Sequence, residues 1–236
     1  MDVNTIIIIC LASVLVLFIV VSLAITNYAG ENLLTIYNQY KTVSPSFLKT
    51  HELARIISNQ EFNGSIAVDK TTGFLTDYYY NGTIYLSQDV YDSSNISGFA
   101  VVCHELGHAI QYRDTPKKMK KFNRNIVISK TVTKFTMPLL VIGIILVFIN
   151  FWFAISFAVA SILSFLIGLF AKLNTIKIEK EASENAIELL KKYADFDEES
   201  IKYAKKVLSA AKLTYIASFL KSLVGWTMLV NKYDFY

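Results

Sequence analysis

The sequence is poor in charged residues, proline and cysteine. Only 18% of its 236 residues are charged and 53% are hydrophobic, which is more apolar than a soluble globular domain usually is. Its two cysteines, Cys10 and Cys103, are too few for a disulfide framework, which excludes the class of small disulfide-rich secreted domains. The net charge is only +4, so a strongly basic surface for nucleic acid is not expected.

The apolar residues are concentrated in continuous runs. The run Ile6–Ile25 has no charge, and about 20 such residues can cross a hydrocarbon core about 30 Å thick. A second uncharged tract, Phe135–Ala171, is too long for one span, and Asn150 within it predicts a turn between two helices. A fourth run, Leu213–Val230, contains only Lys221 as a charge. It predicts either a last span or a helix lying on the membrane surface.

Positive charge is missing from the N-terminal end. No Lys or Arg precedes Ile25, so the first run lacks the positive start of a signal peptide, and we expect it to remain as an anchor. Lys and Arg lie mainly in residues 41–134 and 172–212, which the positive-inside rule places in the cytoplasm. The basic cluster at 117–124 precedes the second span, where contact with anionic lipid headgroups explains it better than nucleic-acid binding does.

The polar regions predict a small mixed helical and β domain. Short β-like runs broken by Gly and Asn predict a small antiparallel sheet: 65–68, 73–76 and 83–87. Apolar spacing and capping residues predict helices at 46–57, 99–111 and 178–192. A break at 194–200 then precedes a long helix towards the C-terminus.

One pentapeptide carries recognisable chemistry. Residues 104–108 read His-Glu-Leu-Gly-His within the predicted helix Phe99–Gln111, so both imidazoles project from one helix face. Two neutral imidazoles at this spacing suit a divalent transition metal, usually zinc. Glu105 lies one step round the helix, where it can reach the attacking water instead of the metal. The motif predicts a zinc metallopeptidase with His104 and His108 as ligands and Glu105 as general base.

A catalytic zinc site takes three protein ligands, so a carboxylate is needed beyond the histidine pair. In the predicted helix 178–192, Glu179 shares a face with Ala182 and Ala186. The other acids share the opposite face with lysines: Glu181, Glu184 and Glu188. Because a ligand must point towards the core, we predict Glu179 as the third ligand. We expect no functional role for the remaining histidine, His51.

Five segments together resemble the YugP-like family of neutral zinc metallopeptidases: 74–77, 83–91, 100–111, 179–183 and 210–217. The resemblance covers nearly the whole chain. It implies a membrane peptidase of gluzincin type, similar in layout to the HtpX membrane proteases, in which a glutamate after a transmembrane hairpin completes the zinc site. That family pattern, Glu-x-x-Ala followed by Asp or Ser, falls on Glu179, Ala182 and Ser183.

The chain departs from this family at two places. Family members commonly carry Asp-His-Tyr-Asp-Pro where this chain has Asp77-Tyr-Tyr-Tyr-Asn81, so Tyr78 and Tyr80 replace a histidine and an aspartate. If that histidine assists substrate binding, its role is absent or altered here. Leu-Pro often precedes the ligand glutamate, where this chain has Ile176-Lys177. Neither change removes a predicted ligand or the base.

We therefore predict a mainly α membrane protein, with three to four transmembrane helices and a small α+β zincin-like catalytic domain. The predicted regions are an N-terminal anchor (1–27), a metallopeptidase region (28–134) and a transmembrane hairpin (135–172). They are followed by helices with the third ligand (173–212) and a C-terminal hydrophobic helix (213–236). The protein is expected to be a multi-pass protein of the cell membrane, with the catalytic region facing the cytoplasm.

The predicted reaction is hydrolysis of peptide bonds in membrane or misfolded proteins, with Zn²⁺ as cofactor and polypeptides and the lipid bilayer as partners. An extended substrate is expected to add to an edge strand near Thr83 and Tyr85. Two alternatives stay open: a catalytically silent zinc-containing scaffold, and a zinc-dependent hydrolase of non-peptide amides. The sequence does not determine the oligomeric state or the cleavage specificity.

Overall fold

The structure, a computed structural model, describes residues 3–224. Within this range the chain is mainly helical, with three helices long and apolar enough to cross a membrane and one small sheet, which confirms the predicted fold class. The elements in chain order are α1 (Val3–Lys41), α2 (Thr50–Phe62), β1 (Ala67–Thr71), β2 (Tyr78–Tyr80), β3 (Thr83–Ser87), α3 (Gln88–Tyr91), α4 (Ile96–Asp114), α5 (Pro116–Leu146), α6 (Phe151–Tyr193) and α7 (Glu198–Val224).

The candidate spans lie in α1, α5 and α6, over Ala12–Lys41, Pro116–Leu146 and Phe151–Tyr193. The predicted turn at Asn150 is confirmed, because α5 ends before it and α6 begins directly after it. The Asn150 side-chain oxygen accepts hydrogen bonds from the backbone N–H groups of Trp152 and Phe153, which caps α6. The predicted helix at 178–192 is the end of α6 rather than a separate helix. The fourth apolar run lies partly outside the described residues, so its role stays a prediction.

The described residues form two compact units: 3–30, 122–175 and 214–224 in the first, and 31–121 with 176–213 in the second. In the first unit, small and polar side chains lie between α5 and α6. Ser161 donates to the carbonyl of Thr136 at 2.8 Å, and Ser164 to that of Val132 at 2.7 Å. Hydrogen bonds of this kind join helices in lipid, where burying apolar surface gives little advantage.

The sheet of the second unit is mixed, so the prediction of an antiparallel sheet was wrong. The strand order is β1-β3-β2, with β1 parallel and β2 antiparallel to β3. Asn81 and Gly82 both have positive φ, 46° and 82°, which makes the tight two-residue turn between β2 and β3. The other edge of β3 is then available for β1. The predicted strand at 73–76 is instead a loop, since Gly73 and Leu75 also have positive φ.

The position of β3 corrects the prediction about substrate addition. We expected 83–87 to be an edge strand, but it is the central strand of the sheet. Thr83 pairs with Ala67 on one side and Tyr80 on the other, so its backbone has no free edge for a peptide. The same holds for Tyr85, which pairs on both sides.

Helix α4 runs through the core of the second unit. Asn95 caps its N-terminus by accepting a hydrogen bond from the N–H of Gly98. Buried apolar side chains of α4 pack in one cluster with residues of α2, β3, the end of α6 and α7: Phe99, Val102, Leu106, Leu53, Ile84, Leu86, Leu190 and Val207. The helix with the His-Glu-Leu-Gly-His motif is thereby fixed in place by packing on several sides.

Candidate metal centre

The two motif histidines project from the same face of α4. Their ring centroids lie 4.8 Å apart with the rings nearly perpendicular. Each side chain is only 12% exposed, so both imidazoles face the interior but still reach a small opening to solvent. A separation of four residues on an α-helix accounts for this arrangement, because such residues are stacked one turn apart.

Helix α6 brings Glu179 to these imidazoles. Glu179 Oε2 lies 3.2 Å from His104 Nε2 and 3.4 Å from His108 Nε2, and its side chain is 9% exposed. Ligand atoms of the three residues lie within 4.8 Å of one another, and the three are the one such group of His, Cys, Asp and Glu found among the described residues. Glu184 and Glu188 are exposed on the opposite face of α6.

Close approach of α4 to α6 makes this meeting possible. Gly107 lies between the two histidines, and a Cβ added there would lie 2.3 Å from the backbone oxygen of Ala182. Ala182 is itself fully buried. Because neither residue has a large side chain, the two backbones can come near enough for the side chains beside them to meet.

The Glu179 carboxylate lies at the distance from each imidazole that two ligands of one zinc ion would have. In tetrahedral zinc sites the bonds are about 2.0–2.1 Å long, which places pairs of ligand atoms about 3.3 Å apart. The carboxylate oxygen lies close to that distance from both Nε2 atoms. Two imidazoles and one carboxylate also make a ligand set that catalytic zinc sites use, with one position left for water or substrate.

Comparison with known proteins agrees with this chemistry. Residues 14–232 match the family described as "Putative neutral zinc metallopeptidase". The chain belongs to this family. It is also similar to a protein of Bacillus subtilis (strain 168) named "Putative membrane protease YugP", with 27% identity over 207 residues, covering 86% of this chain and 89% of that protein. No solved structure matches the chain.

The remaining ring nitrogens of the two histidines also have partners. Ser183 donates its hydroxyl hydrogen to the carbonyl of Glu179, so its oxygen is left to accept from His104 Nδ1 at 3.3 Å. His108 Nδ1 lies 2.9 Å from the side-chain oxygen of Gln111. Contacts of this kind hold the proton on Nδ1 and leave Nε2 free to bind a metal.

Gln111 was not predicted as part of the site, and Ser183 was predicted only through the family pattern. A signal for both is their spacing. Gln111 lies three residues after His108 and Ser183 four residues after Glu179, on the same helix faces. Such polar residues are common on helices, however, so spacing alone does not separate a ligand's partner from an ordinary surface residue.

Glu105 is buried beside the histidines, with 7% of its surface exposed. Burial is the largest cause that raises its pKa, to about 7, and the positive charge available on His104 and His108 opposes the rise. A carboxyl group with a pKa near neutrality can both accept and release a proton at physiological pH. The charge of Asp77 contributes to the raised pKa of Glu105.

The pKa values of His108 and Asp77 are also shifted from their ordinary values. Burial alone would lower the pKa of His108, but hydrogen bonding and charge attraction to Glu179 raise it to about 9. Burial raises the pKa of Asp77 to about 6, although the carboxylate accepts hydrogen bonds from the N–H and hydroxyl of Ser87. Asp77 therefore places a titratable carboxyl group at the start of β2, close enough to influence Glu105.

The other residues considered in the sequence analysis lie elsewhere. His51 Nδ1 lies 2.8 Å from the carbonyl oxygen of Tyr91, and its ring stacks on that of Tyr91, so it is a satisfied structural residue. Tyr85 stacks on Tyr78 across the β2–β3 pair. Both cysteines are free thiols, Cys103 buried and Cys10 exposed.

Proposed function

We propose that the protein is a membrane-bound zinc-dependent endopeptidase that hydrolyses peptide bonds in membrane or misfolded proteins. His104, His108 and Glu179 are the proposed zinc ligands. The observation that supports this most is the approach of the Glu179 carboxylate to within 3.4 Å of both imidazole Nε2 atoms, from a helix far away in sequence. Membership of the zinc metallopeptidase family supports the same reaction.

A bound zinc ion supplies Lewis-acid polarisation of the scissile carbonyl and lowers the pKa of water. Glu105 is the proposed general base. Its carboxylate takes a proton from the attacking water and then delivers it to the leaving amine. Burial raises the pKa of the Glu105 carboxyl group, which makes its carboxylate a stronger base towards the attacking water.

The proposed substrate edge is β2 rather than β3. Strand β2 is an outer strand of the sheet, and α4, which carries the motif, packs against both β2 and β3. An extended peptide can add to an outer strand through backbone hydrogen bonds, which require little side-chain specificity. Tyr78 and Tyr80 on this strand are exposed and available to contact the side chains of such a peptide.

The proposed location is the cell membrane with the metal centre facing the cytoplasm. The three apolar helices support membrane insertion. The orientation rests on the concentration of Lys and Arg in residues 41–134 and 172–212, which include both parts of the metal centre. Accessible substrates are then cytoplasmic segments of membrane proteins and unfolded chains near the bilayer.

The test uses the full chain purified in a mild detergent. Zinc content and hydrolysis of unfolded casein are measured for the wild type, Glu179→Ala and Glu105→Gln, with Glu188→Gln as the control on the exposed face of α6. We expect Glu179→Ala to lose zinc. Glu105→Gln should keep zinc but lose hydrolysis by about 10²- to 10⁴-fold, the usual contribution of a general base.

Two outcomes would contradict the proposal. Retention of zinc at wild-type affinity by Glu179→Ala would remove Glu179 from the ligand set. Zinc-loaded wild type that cleaves lipid amides but not casein would replace the peptidase by a hydrolase of non-peptide amides. The Glu188→Gln control should match the wild type in both measurements.

A further inference from the structure

A chain of polar contacts leads from His108 to a charged pair outside the ligand set. The side-chain oxygen of Gln111 lies 2.9 Å from His108 Nδ1. The side-chain amide nitrogen of Gln111 donates to the backbone carbonyl of Ile178 at 2.9 Å and to a carboxylate oxygen of Glu181 at 3.0 Å. Lys118, which lies on α5, in turn donates a hydrogen bond to Glu181, and its Nζ atom is 2.7 Å from one carboxylate oxygen. Three helices, α4, α5 and α6, contribute to this network.

The two acceptors fix the orientation of the Gln111 amide. A side-chain amide has one donor end and one acceptor end. Since Ile178 and Glu181 present only oxygen atoms, the nitrogen must face them, and the oxygen must face His108. An oxygen there can only accept, so in the neutral imidazole, the form that binds a metal, the proton is held on Nδ1 and the lone pair on Nε2.

Burial makes the orientation costly to reverse. Gln111 is 4% exposed, so a rotated amide could not replace its contacts with water. Rotation would set the amide nitrogen against the Nδ1–H of His108 and an oxygen against the oxygens of Ile178 and Glu181. Each buried polar group left without a partner destabilises the rotated arrangement.

We propose that Gln111 is a positioning residue, oriented by Glu181 and Lys118, that holds His108 in the tautomer able to bind a metal through Nε2. The inference depends on the proposed zinc site and extends it to three residues outside the ligand set. It also distinguishes the two histidines. His104 is supported by Ser183, whose hydroxyl is fixed by its own helix, whereas His108 depends on contacts among three helices.

The first measurement is zinc affinity, by competition with a chromophoric chelator, on the full chain in detergent. Gln111→Leu removes the acceptor, and loss of such a partner usually weakens metal binding about 10- to 100-fold. Glu181→Ala should weaken binding in the same direction. Its side chain is 40% exposed, which makes it a variant that preserves the fold if Gln111→Leu does not. Glu184→Ala is the matched control, since Glu184 pairs with Lys180 on the exposed face of the same helix.

A double variant separates positioning from packing. In Gln111→Glu with Glu181→Gln, the carboxylate faces His108 and the amide at position 181 donates to it, so the acceptor beside His108 is retained. The carbonyl of Ile178 loses its donor both in this exchange and in Gln111→Glu alone. We expect the exchange to bind zinc more tightly than Gln111→Glu alone, which leaves two carboxylates facing each other. Failure of the exchange to improve on Gln111→Glu would overturn the inference.

The second measurement reads the tautomer directly. The chain has three histidines, so a spectrum of the ¹⁵N-histidine-labelled protein loaded with zinc contains three imidazoles. We expect His108 to carry its proton on Nδ1 and the metal on Nε2, and the opposite assignment would overturn the inference. If the wild type binds no zinc, the proposed function fails. If it binds zinc and the variants at 111 and 181 match it, only the positioning role fails.

Discussion

The two halves of α6 follow opposite rules for what is buried. In the first half, 151–171, large apolar side chains are exposed while small and polar ones are buried. The exposed set includes Trp152, Ile162, Leu163 and Phe170, and the buried set Ala154, Ser161 and Ser164. In the second half, 178–193, Ala186, Leu189 and Leu190 are buried and Glu184 and Glu188 are exposed.

The contrast shows that the two halves are adapted to different solvents. A half that exposes apolar side chains is stable only where lipid surrounds it, and its buried face is then selected for small size and hydrogen bonding. In the second half, burying apolar surface from water is favourable. A buried carboxylate such as Glu179 belongs to the second kind of region, because polar partners are available there to compensate its burial.

The largest expected effect comes from a charge in the first half of α6. Leu163→Arg should make insertion less favourable by about 2.5–3.5 kcal/mol, the cost of arginine near the centre of a span. The same arginine at Glu188 should have no effect, since that position is exposed among charged residues. Both variants are compared in a microsomal insertion assay. Equal insertion of the two would show that 151–171 does not face lipid.

The second prediction concerns the contact between α4 and α6. Gly107→Ala places a Cβ 2.3 Å from the backbone oxygen of Ala182, and backbone cannot move aside as a flexible side chain can. We expect a loss of about 1–3 kcal/mol in the free energy of unfolding, together with weaker zinc binding. Gly30→Ala on α1 is the control, because a Cβ there meets nothing within 4 Å. Thermal unfolding and zinc titration in detergent measure both effects, and an unchanged Gly107→Ala would contradict the close approach.

The third prediction concerns pH and the buried carboxyl group of Asp77. Burial raises its pKa from the ordinary value of 3.8 to about 6 in the folded protein, so the folded state binds more protons between these pH values and becomes less stable as pH rises through them. Asp77→Asn should remove this loss, which is about 3 kcal/mol. Relative to the wild type, the variant should therefore gain stability between pH 4 and pH 7.

The measurement is the unfolding midpoint at several pH values between 4 and 7. Asparagine keeps the oxygen that accepts hydrogen bonds from Ser87, so the comparison isolates the charge. Asp69→Asn, at an exposed position of β1, serves as the control and should follow the wild type. A stability difference between Asp77→Asn and the wild type that does not change with pH would contradict a raised pKa at Asp77.

The smallest expected effect lies in the first half of α6. Ser161→Ala removes the 2.8 Å hydrogen bond to the carbonyl of Thr136 on α5. Interhelical hydrogen bonds in membranes contribute about 0.6 kcal/mol on average. Ser156→Ala is the control, since its hydroxyl is exposed and bonds only to its own helix, at the carbonyl of Trp152. In mixed micelles, the free energy of unfolding of Ser161→Ala should be lower than that of Ser156→Ala by this small amount. The reverse order would contradict the prediction.

Much of the helical architecture could be predicted from local pattern. The apolar runs, the turn at Asn150, the cap before α4 and the break after Tyr193 each depend on neighbouring residues. The strands of the sheet and their pairing were harder to predict. The strand at 83–87 was predicted, but its hairpin partner was placed at 73–76 instead of at β2. The parallel pairing of β1 with β3 joins strands that are far apart in the chain, and no local signal specifies it.

The residues of the candidate site also divide into those that local pattern predicted and those that it did not. Periodicity placed His104 and His108 on one face and singled out Glu179 among the acids of its helix. It did not reveal Gln111, because the amide's importance depends on Ile178, Glu181 and Lys118, which reach it from other helices. Hydrogen-bonded networks between distant segments leave little trace in the spacing of any one of them.

The sequence by itself determined the residue types and their local spacing: a histidine pair with a glutamate between, apolar runs long enough for lipid, and a carboxylate on the inner face of a later helix. The tertiary structure decided which strand is central and how far Gln111 connects the histidine pair to a charged contact. The reason is that periodicity fixes the direction of a side chain on its own helix or strand. Only the packing of one helix against another, at Gly107 and Ala182, sets the distance between side chains far apart in the chain.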